Sequence, residues 1–293
     1  YLLSFINHLI KDKTNVSIYN IDKFVHLGTP EQYEDFMSWK IEISKNFYVK
    51  RSNLLNKNPC IMLMAGQGKR LKKINSKKFL LTYKNFEIFK YILKIYNAKK
   101  NIIITNNHLK NQIPKNYNTE LFFVKKNNSM FQTILESSKL LNNYKKYLLT
   151  SCDCHGEFNL NELQKISKKN IDLCMFGFQF TNLQKNLNNA HTQLMLKNNM
   201  VSNIKVKAKF DKNLLGHAGF FWINSNKVFS YLDDFLRSKY YKSLEREIII
   251  DDYFRFIINN KLINASFIKL KNYIHIGSLV EYQEYEYWQK YFK

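Results

Sequence analysis

Three places in this 293-residue sequence set chemically active side chains where a turn would present them. The first is "AGQGKR", Ala65 to Arg70, which ends the apolar run "CIMLMA". Glycines at 66 and 68 let a turn bring main-chain N–H groups close to phosphate oxygens; the same pattern also serves as an ordinary tight turn. Around Gln67 and Lys69, Arg70 adds a guanidinium fork for oxyanions, and Lys77 or Lys78 follows from the next segment. The stretch is neither a P-loop nor GxGxxG, because GK[ST] is missing and residue 71 is Leu. The second place is "LLTSCDCH", where Asp153 ends an apolar run. A carboxylate there either caps a turn or offers oxygen to a hard cation such as Mg²⁺. Cys152 and Cys154 are too close together for usual zinc spacing, and no second pair accompanies them. The third place is "EREIIIDDYFRFIINNK", where Asp251 and Asp252 interrupt an apolar helical pattern. Burying both without a partner is costly, so solvent, a cap or a cation must face at least one. Lys207 in "IKVKAKF" and the "GHAG" stretch, Gly216 to Gly219, read as further loop elements able to touch a ligand.

These residues need a scaffold that holds them at one edge. Strands are expected at "CIMLMA", "NIIITN" (101–106), "LFFV" (121–124), "YLLTSC" (147–152) and "LCMFGFQF" (173–180). Helical patterns lie between them at 86–97 and 129–141. Near-continuous apolar strands alternating with helices predict an α/β fold, a mostly parallel sheet covered by helices on both faces. In such sheets ligands sit beyond the carboxyl ends of the strands, which directs attention to the loops after Ala65 and Cys152.

The sequence also contains one pattern twice. "KFVHLGTPEQYEDFMSWK" (23–40) matches "NYIHIGSLVEYQEYEYWQ" (272–289), with His26 against His275, Gly28 against Gly277 and Trp39 against Trp288. The offset is 249 throughout, too long for a solenoid unit and suited to a whole α/β domain. Residues 1–45 are therefore expected to be the C-terminal end of a preceding domain, an intramolecular partner upstream. Residues 46–59 then form a linker, and 60–293 a second domain of the same kind.

Bulk properties narrow the class. Hydrophobic residues make up 45% of the chain, which rules out wholesale disorder. No stretch approaches about eighteen uninterrupted apolar residues, so no membrane span is expected. Four cysteines form no disulfide framework, and a reducing cytoplasm fits them. The net charge of +23 invites a nucleic-acid reading, but it comes from lysine, with arginine only at 51, 70, 237, 246 and 255. No paired aromatic and basic motif accompanies it, and a nucleic-acid partner is not expected. The chain opens on Tyr1 without a leader pattern and reads as an excerpt of a longer polypeptide.

Taken together, the motifs from about residue 57 onward resemble the nucleotidyltransferases of the nucleoside-diphosphate-sugar pyrophosphorylase-like group. They occur in order: "MAGQGKRL", a lysine near "KKFLL", "SMFQTILES", "SCD", "IKVK", "HAGFFWI", "EREIIIDDYF" and "YIHIGSLVEYQEYEYW". The resemblance implies a Rossmann-like doubly wound sheet of the nucleotide-diphospho-sugar transferase type. It also implies transfer of a nucleoside monophosphate from a triphosphate to a phosphorylated sugar or similar acceptor, with release of pyrophosphate, for surface polysaccharide precursors such as capsule or lipopolysaccharide. By the same resemblance Ala65, Gly66, Gln67, Gly68, Lys69, Arg70 and Gln132 would hold the nucleotide. Arg70, Lys78 and Asp153 would be catalytic, and Lys207, Gly219 and Glu247 would bind the acceptor. Asp153 with Asp252 or Asp251 would hold Mg²⁺. Such a reaction is mainly positioning and charge neutralisation. No Ser-His-Asp or Cys-His set stands out as an alternative. Departures include Lys77-Lys78 in place of Pro-Lys, Val206-Lys207 in place of an acid-Lys pair, and Gly277-Ser278-Leu279-Val280 in place of GTPE. The competing readings are a catalytically degenerate domain with a regulatory or assembly role, and a glycosyltransferase of similar sheet architecture. The latter normally carries an acid-x-acid motif, whereas Cys154 and His155 follow Asp153 here.

Overall fold

A computed structural model describes residues 2–21, 23–44, 53–66, 81–84, 86–113, 119–125, 129–180 and 191–292. Two helices, α1 (Leu2–Lys11) and α2 (Pro30–Ser44), come first, separated by a stretch without regular structure. After α3 (Asn53–Lys57) come β1 (Cys60–Leu63), β2 (Thr82–Tyr83), β3 (Phe86–Glu87), α4 (Ile88–Tyr96), β4 (Asn101–Asn106) and β5 (Thr119–Val124). Next are α5 (Met130–Asn142), β6 (Tyr147–Ser151), β7 (Cys154–Gly156), α6 (Leu160–Ser167) and β8 (Leu173–Phe178). The rest comprises β9 (Gln193–Lys197), β10 (Met200–Lys205), β11 (Leu215–Ile223), α7 (Leu232–Arg237), α8 (Lys239–Lys242), α9 (Ile250–Asn259), β12 (Ala265–Lys269), β13 (Tyr273–His275) and α10 (Leu279–Phe292).

Nine strands form one sheet in the order β5-β4-β1-β6-β11-β8-β12-β10-β9. β5, β4, β1 and β6 pair in parallel, as do β8 and β12. The sheet as a whole is mixed, because β11 and β10 run against their neighbours. One cause is local: β9 and β10 are joined by Asn198-Asn199 alone, both with positive φ (51° and 59°). That is the two-residue turn whose twist suits an antiparallel hairpin. Alternate residues of β1 serve opposite cores. Cys60, Met62 and Met64 pack with α4, α6 and α10, while Ile61, Leu63 and Ala65 pack with α5, α7 and α9. Helices thus cover both faces, and both edges of the β1 register are buried, which is why that strand reads as a continuous apolar run. Among the described residues no helix is long and apolar enough to cross a membrane.

The repeat is visible as structure. At the offset of 249, α1 falls on α9 and α2 on α10. The two closing helices also pack on each other. Phe36 meets Trp288 with ring centroids 5.8 Å apart, and Trp39 meets Tyr285 at 6.3 Å. Position 36 corresponds to 285 and position 39 to 288, so these are one contact seen from two sides. That reciprocity is the signature of an isologous, pseudo-two-fold pairing. From α2, Glu42 is buried against the body, where the Tyr83 hydroxyl donates to it at 2.6 Å and Lys84 Nζ lies at 2.8 Å.

Candidate active site

β1 and β6 are adjacent and parallel, with Leu63 in register with Ser151, so the segments after them leave the sheet side by side. Ala65 is buried, and its carbonyl accepts from Asn106 Nδ2 at 3.2 Å. At Gly66 no atom of the described residues comes within 4 Å of where a Cβ would lie. Gln67, Gly68, Lys69, Arg70, Lys77 and Lys78 lie outside the described residues.

Asp153 is buried just beyond β6. Ser151 Oγ donates to its Oδ1 at 2.5 Å, and His275 Nε2 faces its Oδ2 at 3.4 Å. His275 arrives through the antiparallel pairing of β13 with β7, which sets it opposite Cys154. The backbone reinforces this, since Ile276 N–H donates to the Asp153 carbonyl at 2.8 Å. On its other side His275 Nδ1 lies 2.6 Å from Glu281 Oε1. Glu281 Oε2 accepts from Ser278 Oγ at 2.7 Å and from Gly277 N–H at 3.2 Å. Ser278 and Glu281 occupy the first and fourth places of an S-x-x-E start to α10: Glu281 N–H donates to Ser278 Oγ at 3.4 Å, while the Glu281 carboxylate reaches back to the Gly277 N–H. Glycine is required at 277, because a Cβ there would fall 2.2 Å from the His275 ring.

Burial works against a charged His275, but Glu281 and Asp153 outweigh it and push its pKa up to about 9. Burial likewise opposes a charged Glu281, and the imidazolium with its hydrogen bonds prevails, pushing it down to about 2. His191 Nε2 lies 3.9 Å from Glu281 Oε1, so His191, His275 and Glu281 converge as a set with metal-ligand atoms. Both nitrogens of His275 already face carboxylates, which makes this an ion-pair chain in which the histidine is a cation rather than a ligand. The two serines donate to carboxylates, so neither is activated as a nucleophile by the histidine.

A second cluster begins at the residue after His191. Thr192 Oγ1 donates to Asp251 Oδ2 at 2.7 Å, and His217 Nδ1 lies 2.9 Å from Asp251 Oδ1. That second contact lacks the alignment of a hydrogen bond, and Oδ1 and His217 Nε2 are both buried without a hydrogen-bond partner among the described residues. Burial raises the Asp251 pKa, and His217 with Thr192 more than reverses this, so the group is held below the usual carboxylate range. Asp252 differs. Arg246 grips both its oxygens (2.9 and 2.5 Å), and Ile249 N–H and the Tyr240 hydroxyl also donate to it (3.0 and 3.3 Å). Its charge is neutralised inside the protein and closes the first turn of α9. Of the adjacent pair, Asp251 faces a threonine and a histidine rather than an arginine.

The remaining positions vary in setting. Gln132 is exposed in the first turn of α5, where its N–H donates to Ser129 Oγ at 3.2 Å. Since α5 follows a strand parallel to β1, that turn lies on the carboxyl side of the sheet. Lys207 is half-buried in the turn after β10 with φ 46°, and no carboxylate among the described residues pairs with it. Lys13, Lys84 and Lys261 share that left-handed backbone, so the conformation does not set Lys207 apart. Gly219 has φ +74° within the irregular register of β11 on β8, and a Cβ there would meet nothing nearer than Cys154 Sγ at 4.0 Å. The backbone conformation, not crowding, selects glycine. Glu247 is exposed, and its carbonyl takes a hydrogen bond from Arg246 at 3.0 Å. His275, Glu281 and Arg246 are site residues that the sequence motifs do not single out, whereas His217 belongs to the GHAG stretch, which lies in β11 and not in a loop. A signal for two of them existed, in the recurrence of His26 as His275 and in the S-x-x-E spacing of Ser278 and Glu281.

No family profile matches the sequence, and no curated protein does. Solved structures do share the fold. The inositol-1-phosphate CTP transferase from T. maritima is 15% identical with a TM-score of 0.62, over 82% of this chain and 98% of that one. The nucleoside-diphosphate-sugar pyrophosphorylase from Vibrio cholerae RC9 is 16% identical with a TM-score of 0.59, over 77% and 98%. A Bacillus anthracis chain assigned as a glucose-1-phosphate thymidylyltransferase, solved with sucrose, is 15% identical with a TM-score of 0.60, over 78% and 93%. This chain therefore has the α/β fold on which those nucleotidyltransferases are built.

Proposed function

We propose that this protein is a Mg²⁺-dependent nucleotidyltransferase that joins a nucleoside monophosphate from a triphosphate to a phosphorylated sugar or similar small acceptor. The observation that carries the reading is Asp153, buried at the carboxyl edge of the sheet beside the strand that leads into Ala65-Gly66. The chemistry asks for little else. An acceptor phosphate oxygen attacks the α-phosphorus in line, the bond to the bridging oxygen breaks, and pyrophosphate leaves. Because both reactants are anionic, positioning and charge neutralisation dominate. Arg70 and Lys78 would hold the triphosphate over the glycine loop, with Gln132 nearby, and Lys207 and Gly219 would face the acceptor. Asp153 and Asp251 suit a hard divalent cation as oxygen donors. When bound, Mg²⁺ would offset charge on the transferred phosphate. Products of this kind feed surface polysaccharide synthesis in a reducing cytoplasm, where the four buried thiols stay free.

We also infer that residues 2–44 are the closing elements of a second domain of this fold. Its motif pattern and helix order reproduce those of residues 251–292.

The test is thermal unfolding of the whole chain against ATP, CTP, GTP, UTP and dTTP, with and without Mg²⁺, beside Asp153→Asn. A nucleotide at about 100 times its Kd should stabilise by about 2.7 kcal/mol. The expected result is one nucleotide stabilising only with Mg²⁺, and an Asp153→Asn variant that folds but loses the shift. Stabilisation by none of the five would instead point to a degenerate domain.

A further inference from the structure

We propose that Glu281, acting through His275, is a positioning residue for Asp153. The inference rests on the nucleotidyltransferase reading of Asp153 and adds to it two residues given no role so far. A strand-end aspartate can turn about its side-chain bonds, so presenting an oxygen to a cation in one direction requires that the carboxylate be held from behind. Here each oxygen has its own anchor, Ser151 Oγ on Oδ1 and His275 Nε2 on Oδ2. The ring can serve as an anchor only if its plane is fixed, and Glu281 Oε1 fixes it through Nδ1 at 2.6 Å. Glu281 is in turn held by Ser278 Oγ and the Gly277 N–H. The chain from α10 to the strand end is continuous; its two carboxylates are buried and His275 between them is nearly so, with 13% of its side chain exposed.

A bland alternative is that Glu281 only caps α10, and the repeat supplies an internal control. In the first copy the corresponding residue is Gln32, and it caps its helix with a full box: Thr29 N–H donates to Gln32 Oε1 at 3.1 Å and Gln32 N–H to Thr29 Oγ1 at 3.3 Å. The cap therefore needs an acceptor, not a charge. The carboxylate at 281 exceeds what the helix requires, and His275, in contact with Asp153, is where the excess is used.

The experiment is Glu281→Gln in the whole chain, a change that the first copy shows to be compatible with the cap. Two readouts apply: Mn²⁺ affinity by paramagnetic resonance with each of the five nucleoside triphosphates, and the split between kcat and KM with glucose 1-phosphate or inositol 1-phosphate as the acceptor. The expected result is native circular dichroism, a fall of about 10–100-fold in Mn²⁺ affinity or kcat, and an unchanged acceptor KM. His275→Asn should give the same loss, and the double variant no more than either single one, because the two act in series. If Glu281→Gln fails to fold, the same comparison of metal affinity is made with His275→Asn. Full Mn²⁺ affinity and kcat in a folded variant, or additive losses in the double one, overturns the proposal while leaving the activity intact. A native chain that binds no Mn²⁺ with any nucleotide overturns the activity reading itself, and this one with it.

Discussion

Tyr19 and Ile268 hold the same place in a repeated pattern, yet one is 89% exposed and the other fully buried. The contrast continues along the stretch. Ile21 is 63% exposed and its counterpart Leu270 buried; Leu27 is 43% exposed and its counterpart Ile276 fully buried. On either side of this stretch the copies agree, since α1 and α2 form where α9 and α10 do. A helix closes its hydrogen bonds within its own segment, whereas a strand needs edges supplied from elsewhere. β12 has such edges in β8 and β10, and residues 16–21 have none among the described residues. Among the described residues, eleven of the fourteen exposed large apolar side chains lie between Leu3 and Ile41, so most of that unsatisfied surface belongs to one copy. The body from residue 53 onward leaves far less of its apolar surface exposed, and from the first copy Trp39 packs against its core while Glu42 is buried on Tyr83 and Lys84.

The sharpest way to break this comparison is to make the same truncation at both positions. Ile268→Ala should cost about 2–5 kcal/mol of unfolding free energy, as buried large-to-small changes do. Tyr19→Ala should stay within about 0.5 kcal/mol, as surface changes do. Denaturant unfolding of the whole chain measures both. Equal costs would mean that residues 16–21 are packed in solution, and the contrast between the copies would be lost.

A second experiment sharpens the relation between the closing helices. If their pairing is isologous, the Phe36–Trp288 and Trp39–Tyr285 contacts are equivalent. Double-mutant cycles to alanine should then give similar coupling energies, about 0.5–1.5 kcal/mol each. Coupling in one pair and none in the other would confine the two-fold relation to the sequence.

What could be read in advance follows the same division between local and non-local causes. The strands expected at 60–65, 101–106, 121–124, 147–152 and 173–180 correspond to β1, β4, β5, β6 and β8, because a strand buried on both faces is apolar throughout. The helical patterns at 86–97 and 129–141 correspond to α4 and α5. The reversal of β11 and β10 was not legible, since it depends on which edges meet. In the site, Asp153 was visible because it ends an apolar run. The histidine against it comes from far along the chain through the β7–β13 pairing, which no local spacing reveals. Asp251 and Asp252 looked interchangeable in sequence. They are separated by Arg246, which a guanidinium-to-carboxylate search upstream of the helix would have found.

The smallest expected effect concerns how firmly the two copies are joined. Glu284 lies half-buried on α10 facing α2, and its pKa is pushed up to about 7. Burial is the main cause; the charges of Asp35 on α2 and Glu281 on α10 add to it, and hydrogen bonds from Trp39 and Trp288 oppose it. Asp35 is the repeat counterpart of Glu284, so the pairing that brings like aromatic residues together also brings like charges together. The direction of the pH dependence follows. A carboxyl group whose pKa is higher in the folded state than the ordinary 4.5 favours folding in its neutral form. Its contribution to the α2–α10 contact is complete below about pH 4.5 and is lost as pH rises through about 7. Hydrogen exchange in α2 should therefore quicken between pH 5 and 8 beyond the intrinsic rate, and Glu284→Gln should remove that excess. An excess that persists in the variant would assign the weakness to another group on the α2–α10 contact.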